Sequence, residues 1–377
     1  MNTTFLRSTC ALVPALLVAG CSQSVGPTEN ATSASEAILA EPEPAASGAV
    51  FTQTNASDRN ELVEYRRAAG GALTVAGRFD TGGTGLGSGL SAQGAVTRDG
   101  HWLFVVNAGS DDVSTFDLAS NPPSLVSRVA AGGTQPVSVT ARNHVIYVLN
   151  AGGAGNIAGF RIDFDGKLHA IAGSTLPLSA ASVTPTEVAF SPDGDTLVVT
   201  EKGANRIDAY YVDTAGLAHG PTVHASNGAA PFGFDFSLTG ELVVSEAAGS
   251  AASAYAVRDE VHIASISASV ANTQSAACWL VVAADGQHAY TANAGSGTIS
   301  SYRIERGGKL ALESAVAGVT GSGSHPVDMA FGGLGKYLYA LANGAGTITA
   351  FRVQGGALTS VGAVDSLPAS ATGLVAW

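Results

Sequence analysis

From about residue 50 to residue 377, short apolar runs rich in Val, Leu, Phe, Tyr and Ala alternate with clusters of Gly, Asn and Asp. Runs this short, rich in β-branched and aromatic residues and flanked by turn formers, predict strands and not helices. They recur in groups at a spacing of about 43–52 residues, the length of one four-stranded blade of a β-propeller. Each group opens on an apolar strand, often after proline: Pro136, Pro185, Pro231, Ala277 and Pro326, with Gly94–Thr97 a shorter version. A tight turn follows, as in Arg98-Asp99-Gly100, Pro192-Asp193-Gly194 and Asp285-Gly286, where glycine supplies a positive φ. Second strands start near Trp102, Val145, Thr196, Glu241, Ala289 and Tyr337. Third strands end near Tyr65, Phe116, Phe160, Tyr210, Tyr255, Tyr302 and Phe351, which makes seven blades.

The two ends complement each other. The first unit has its second strand from Val50, its third from Glu61 and its fourth near Leu73, but no innermost strand. Thr372–Trp377 has the character of that strand. The pattern therefore predicts an all-β, seven-bladed propeller over 49–377, closed by its C-terminal strand so that no sheet edge is left open. An open solenoid would need capping units at both ends, and the sequence has none.

The N-terminal segment differs. One positive charge at Arg7 precedes an apolar run from Ala11 to Ala19, broken by Pro14 and too short to span a bilayer. It ends in Leu17-Val18-Ala19-Gly20-Cys21, which resembles the bacterial lipobox. This predicts a signal peptide over 1–20, lipidation of Cys21, and membrane attachment through the lipid alone. The alternative is a cleaved signal with an incidental cysteine. Residues 21–48, rich in Ser, Thr, Ala, Glu and Pro, read as a tether. Ser22 in place of Asp points to the outer membrane, so the expected protein is exported and lipid-anchored to the cell envelope at that membrane. With Cys10 removed and Cys21 acylated, Cys278 stands alone and no disulfide forms within a mature chain. The net charge of −12 without a basic cluster argues against a nucleic-acid partner. The expected state is a monomer.

If each first strand descends from the top face, the Asp-Gly turns lie at the bottom and the second strands climb back. Their last residues, Asn55, Asn107, Asn150, Glu201, Glu246, Asn293 and Asn343, then ring the top mouth of the channel. Gln93, Gln135, Thr184, Ala230, Ala276 and His325, just before the first strands, share that face. Asparagine serves as a turn cap, whereas Glu201 and Glu246 break the repeat on adjacent blades and read either as functional carboxylates or as surface charges. His325 fits a general acid or base or a simple strand opener. Lys202 and Arg206 suit a substrate anion, or are solvated loop cations. Cys278 and Trp279 read as core, and Phe232 as core or pocket wall. No nucleophile elbow, zinc helix or Walker loop is present. The glycines of Thr81–Gly89 have no helix after them and read as flexibility.

Phe190-Ser-Pro-Asp-Gly, the stretch from Val198 to Tyr210 and that from Thr291 to Tyr302 resemble the lactonase family of seven-bladed propellers, which includes 6-phosphogluconolactonases and carboxymuconate cyclases. Thr273–Trp279 resembles a bacterial branch of it. The resemblance implies opening or closing of a sugar-acid or muconate lactone, with His, Glu and Arg on the top face. Glu201, His325 and Arg206 are the matching catalytic types. Lys202, Glu246, Asn150, Asn293 and Gln135 are candidates for binding the small-molecule substrate. No cofactor is required, although Glu201 and Glu246 suit a hard divalent cation such as Ca²⁺. A cytosolic phosphosugar fits poorly with export. The competing expectation is a non-enzymatic envelope propeller that binds a protein, glycan or small ligand by the same face.

Overall fold

The computed structural model describes residues 48–259 and 261–377. The expected signal peptide, the lipidation site Cys21 and almost all of the tether lie outside the described residues. No helix among these residues is long and apolar enough to cross a membrane.

Seven antiparallel sheets form the blades. Blade 1 comprises Gly48–Gln53, Glu61–Arg67 and Leu73–Asp80, with Thr372–Ala376 as its innermost strand. Blade 2 runs through Val96–Asp99, Trp102–Asn107, Asp112–Asp117 and Ser124–Ala130. Blade 3 holds Pro136–Arg142, Val145–Asn150, Asn156–Ile162 and a broken outer strand, Leu168–Ala170 plus Leu176–Pro177. Blade 4 is Pro185–Phe190, Thr196–Glu201, Arg206–Val212 and Ala218–Ala225, and blade 5 is Pro231–Phe236, Glu241–Glu246, Ala251–Arg258 and His262–Ala271. Blade 6 is Ala277–Val282, His288–Asn293, Thr298–Ile304 and Leu310–Val319, and blade 7 is Pro326–Gly332, Tyr337–Ala342, Thr347–Gln354 and Ala357–Val364. The innermost strands touch in chain order from blade 2 to blade 7, and the C-terminal strand touches those of both blade 7 and blade 2, closing the ring.

The closing strand pairs Val50 with Ala376 and Thr52 with Leu374, as its sequence predicts. Trp377 stacks on Phe51 at 5.4 Å between ring centroids, and the Arg98 guanidinium lies 4.2 Å from the Trp377 ring.

Second strands such as Trp102–Asn107 and Val145–Asn150 are buried along their whole length, because a neighbouring blade covers each face. That is why they read as continuous apolar runs and not as alternating ones. The seven aromatics that counted the blades are all buried, each opposite a second-strand apolar residue, as Tyr210 is to Leu197 and Phe351 to Leu338. Second-strand tyrosines tie blades 3, 6 and 7 to the next blade. Tyr147 donates to the Gly216 carbonyl at 2.9 Å and Tyr339 to that of Gly71 at 3.0 Å.

The tops of the inner strands are irregular in a repeated way. Gln135, Thr184, Ala230, Ala276 and His325, each just before such a strand, have φ between 49° and 57°, a left-handed conformation that non-glycine residues rarely adopt. Each carbonyl accepts from an N–H just past the end of its own second strand, as in Lys202 to Thr184 at 3.2 Å. A register shift follows at Pro136/Ser138, Pro185/Glu187, Pro231/Phe234, Ala277/Trp279 and Pro326/Asp328. These bulges re-aim the side chains that enter the channel.

Blade 2 departs from this pattern, and so does the reading of Thr81–Gly89 as flexible. That segment is packed against blade tops. A Cβ on Gly85 would lie 2.2 Å from the Asn55 carbonyl carbon, and one on Gly83 would lie 2.5 Å from Asn107 Cγ. Asn55 Nδ2 donates to the Ser88 carbonyl at 2.6 Å. These glycines permit close backbone approach. The chain then runs through Leu90–Gly94, largely buried, to the inner strand of blade 2.

Candidate functional site

Asn55, Asn107, Asn150, Glu201, Glu246 and Asn293 are fully buried and Asn343 is half-buried. Five of them end the second strands and Asn55 and Asn343 lie just past theirs, but they are engaged with their own blades and with the connections between blades instead of forming an open ring. Asn107 Nδ2 donates to Asp112 Oδ1 and Ser114 Oγ, at 2.6 and 2.8 Å. Asn293 makes the corresponding bonds to Thr298 and Ser300. Asn150 donates to the Ala131 carbonyl and Asn156.

The glutamates answer a local change of partner. Glu246 accepts from the hydroxyls of Ser253 and Ser269. Glu201 accepts from the Ser179 N–H at 3.0 Å and from the Ser179 hydroxyl. Here the serine hydroxyls donate to a carboxylate, whereas in blades 2 and 6 Ser114 and Ser300 accept from the amides of Asn107 and Asn293. Among the described residues, no three His, Cys, Asp or Glu side chains assemble into a metal-holding group, and Glu201 and Glu246 do not meet.

Arg206 is exposed beside Ser179, with Nη1 3.3 Å from its Oγ. His325 is exposed on the rim, and its carbonyl accepts the Asn343 N–H. No hydrogen bond or ion pair joins the His325 side chain to Glu201, Glu246, Arg206 or Lys202. Gln135 is half-buried, its N–H held by Asp111 at 2.6 Å.

Lys202 is different. It leaves blade 4 and reaches the Leu90–Gly94 segment, placing Nζ 2.7 Å from Ser91 Oγ, 3.3 Å from the Ser91 carbonyl and 4.8 Å from the centre of the Phe232 ring of blade 5. No carboxylate pairs with it among the described residues. Burial lowers its pKa, while the neighbouring Cys278 acts in the opposite direction. Burial pushes the Cys278 thiol up to about 12, which keeps it protonated and a poor nucleophile. Phe232 packs on Trp279 at 4.7 Å, so it serves as both core and wall.

Beside Lys202, the Leu90–Gly94 segment packs against blades 5 and 6. Trp279 Nε1 donates to the Ala92 carbonyl at 3.0 Å. Gln93, expected on the open face, is buried against the inner strands of blades 5 and 6. Its Nε2 donates to the Leu280 carbonyl at 2.8 Å and the Phe234 carbonyl at 3.3 Å, and its Oε1 accepts the Leu280 N–H at 3.0 Å. Leu90–Gly94 is thus a plug.

The inner strands of blades 4, 5 and 7 also carry acids: Glu187, Asp235 and Asp328. Glu187 accepts the Phe234 N–H at 2.7 Å, Asp235 that of Val282 at 2.8 Å, and Asp328 that of Met329 at 2.8 Å. Burial raises all three, Glu187 strongly, Asp235 to about 6 and Asp328 to about 8. The signal missed in the sequence was an acid inside an apolar first strand, as in Pro185-Thr-Glu-Val-Ala-Phe, Pro231-Phe-Gly-Phe-Asp-Phe and Pro326-Val-Asp-Met-Ala-Phe.

The fold has solved counterparts. A periplasmic gluconolactonase from Pseudomonas aeruginosa superposes with a TM-score of 0.68 at 16% identity, over 87% of this chain and 98% of that one. A Lactobacillus plantarum protein gives 0.72 at 15% identity over 88% and 99%. A Bacteroides fragilis protein provisionally assigned as a 6-phosphogluconolactonase gives 0.69 at 18% over 89% and 100%. At these identities the likeness speaks for the fold. No curated protein matches the chain in sequence. The model of the lactonase family, described as a 7-bladed β-propeller, matches residues 93–250 and 242–361, which together span more than half of the chain. With its seven closed blades and this match, the chain belongs to the lactonase family of seven-bladed β-propellers.

Proposed function

We propose that the protein opens or closes a small anionic lactone at the top mouth, with Lys202 as the anchor for the substrate's negative charge. The observation that carries this reading is an ammonium held over an aromatic ring, bonded only to neutral oxygens of Ser91 and lacking a carboxylate partner. A partly desolvated cation without a counter-ion favours an incoming anion, because attraction strengthens as water is excluded.

His325 is the acid–base group of this proposal. Its imidazole takes a proton from water as the oxygen attacks the lactone carbonyl carbon. The ring C–O bond then breaks, and the leaving alkoxide takes that proton back, giving a hydroxy acid. Lactone formation runs the same steps in reverse. The Leu17–Cys21 segment supports export and lipid anchoring at Cys21, so the substrate would be met in the envelope. The gluconolactonase neighbour is named as periplasmic, which is compatible with that placement.

The test is hydrolysis of a panel of aldonolactones and carboxylated unsaturated lactones by the purified protein, followed by acid release. Lys202→Met should raise KM at least tenfold, roughly 1.4 kcal/mol, with a smaller change in kcat. His325→Gln should lower kcat. Absence of turnover on every lactone, with retained Lys202-dependent binding, would favour the non-enzymatic binding propeller. One observation supports that second reading: Glu201 and Glu246 are tied to serines and are not available at the open mouth.

A further inference from the structure

We propose that Glu201 and Asp208 share a single proton, and that this shared proton positions Lys202 in the mouth. The inference rests on reading Lys202 as the ligand anchor, but its geometry stands apart from any ligand.

Both carboxyl groups are fully buried. They lie on adjacent strands of blade 4 and accept from the same backbone donor. The Ser179 N–H is 3.0 Å from Glu201 Oε1 and 2.9 Å from Asp208 Oδ2. Neither makes an ion pair among the described residues, and Asp208 Oδ1 has no hydrogen-bond partner. Two carboxylates brought onto one donor, out of water and without an ion pair, cannot both remain charged, although the exposed Arg206 acts on Asp208 in the opposite direction. One must carry a proton and donate it to the other.

The groups facing the pair are few. Arg206 lies on the same strand as Asp208 but is exposed and reaches Ser179 Oγ. The Tyr210 hydroxyl donates to the Pro177 carbonyl, and burial together with both carboxylates holds its pKa far above the usual phenol range. On the outer strand, His224 bonds the Val261 carbonyl and His219 bonds Asp213. The segment 178–184 contains no charged residue. Burial and the bond and charge of Glu201 raise Asp208 to about 8, so the proton leaves in mildly alkaline solution.

The consequence reaches Lys202 through the backbone. Ser179, held by the pair, begins a segment whose far end bonds the Lys202 and Gly203 amides through the carbonyls of Thr184 and Val183. Losing the proton places two anions against each other and loosens Ser179. The segment then no longer fixes the chain where Lys202 departs for the mouth. Glu201 and Asp208 are positioning residues and touch no substrate.

Hydrogen–deuterium exchange on the full chain without ligand tests this, corrected for intrinsic rates, between about pH 6 and about pH 9.5. In the wild type, protection of the Ser179 and Lys202 amides should fall about tenfold across the transition, and tryptic cleavage after Lys202 should accelerate in step. Asp208→Asn, isosteric and always neutral, should keep both flat, and Glu201→Gln should do the same. Flat wild-type protection, or an unchanged profile in both variants, would overturn the proposal. Because no ligand enters this measurement, a failure of the lactone reading would leave it standing.

Discussion

The side-chain amide of Gln93 occupies the space that a side chain on Gly233 would need. A Cβ at Gly233 would lie 2.1 Å from Gln93 Oε1, with the Leu280 nitrogen at 2.9 Å and the Cys278 carbonyl oxygen at 3.0 Å. Blade 5 thus makes room for a plug contributed from the entry to blade 2. Gly233→Ala should displace Gln93 and destabilise the protein by about 1–3 kcal/mol through overpacking. Gln93→Ala should cost a similar amount, about 1–3 kcal/mol, by leaving the Leu280 N–H and two carbonyls without their partner. Denaturant unfolding checks both. A Gly233→Ala protein as stable as the wild type would mean that the plug moves freely.

Acids in the channel make stability depend on pH in a definite direction. Asp328 sits at about 8 when folded and returns to the ordinary aspartate range when unfolded. Between those values the folded state holds a proton that the unfolded state has released, so stability falls as pH rises from about 4 to about 8. Asp235, at about 6, acts in the same direction over the lower part of that window. Asp328→Asn should flatten the fall by about 1–3 kcal/mol. Melting temperatures at mildly acidic and mildly alkaline pH measure it, and equal slopes for variant and wild type would count against this account.

Two tyrosines separate a useful hydroxyl from an idle one. Tyr147 Oη donates to the Gly216 carbonyl at 2.9 Å and accepts the Ala218 N–H at 2.8 Å, joining blades 3 and 4. Tyr65 Oη is buried without a partner. Tyr147→Phe should cost about 1–3 kcal/mol because Ala218 is left unsatisfied. Tyr65→Phe should be neutral or stabilising. Equal losses in the two variants would show that ring packing, and not the hydroxyl, sets the effect.

The closing strand offers a fourth measurement. Trp377→Ala removes the stack on Phe51 and the face beneath Arg98, for a loss of about 1–3 kcal/mol at this partly exposed position. Removing residues 372–377 should do more, because Gly48–Gln53 becomes an unpaired edge next to the channel. Size-exclusion chromatography should then show multimers. A monomer of wild-type stability would refute the closing role.

The fold was legible in the sequence because it repeats. Doubly buried second strands leave apolar runs, one aromatic marks each third strand, and the ends of blade 1 were visible as a missing strand and a spare one. The site was less legible because its character depends on side-chain direction. Glu201 and Glu246 do end second strands, but whether a residue there faces the mouth or a neighbouring serine is decided by Ser179, Ser253 and Ser269. Those donors are ordinary residues in sequence. Lys202 was visible as a candidate cation, whereas its crossing to Ser91 and Phe232 depends on blades distant in the chain. Thr81–Gly89 reads as flexible in sequence because glycine allows both flexibility and tight backbone approach, and only the neighbours distinguish them, while the inward turn of Gln93 depends on Phe234 and Leu280 of distant blades.

Pairing Thr52 with a strand that includes Thr372 has a consequence in time. The Thr52 hydroxyl bonds a carbonyl 320 residues further along the chain, so blade 1 waits for nearly the whole protein to be synthesised before its inner place is filled. Six blades have all their strands beforehand, while the first presents a bare edge. Contacts this distant slow folding, and the ring's last step is therefore where a competing chain has its longest opportunity to intrude.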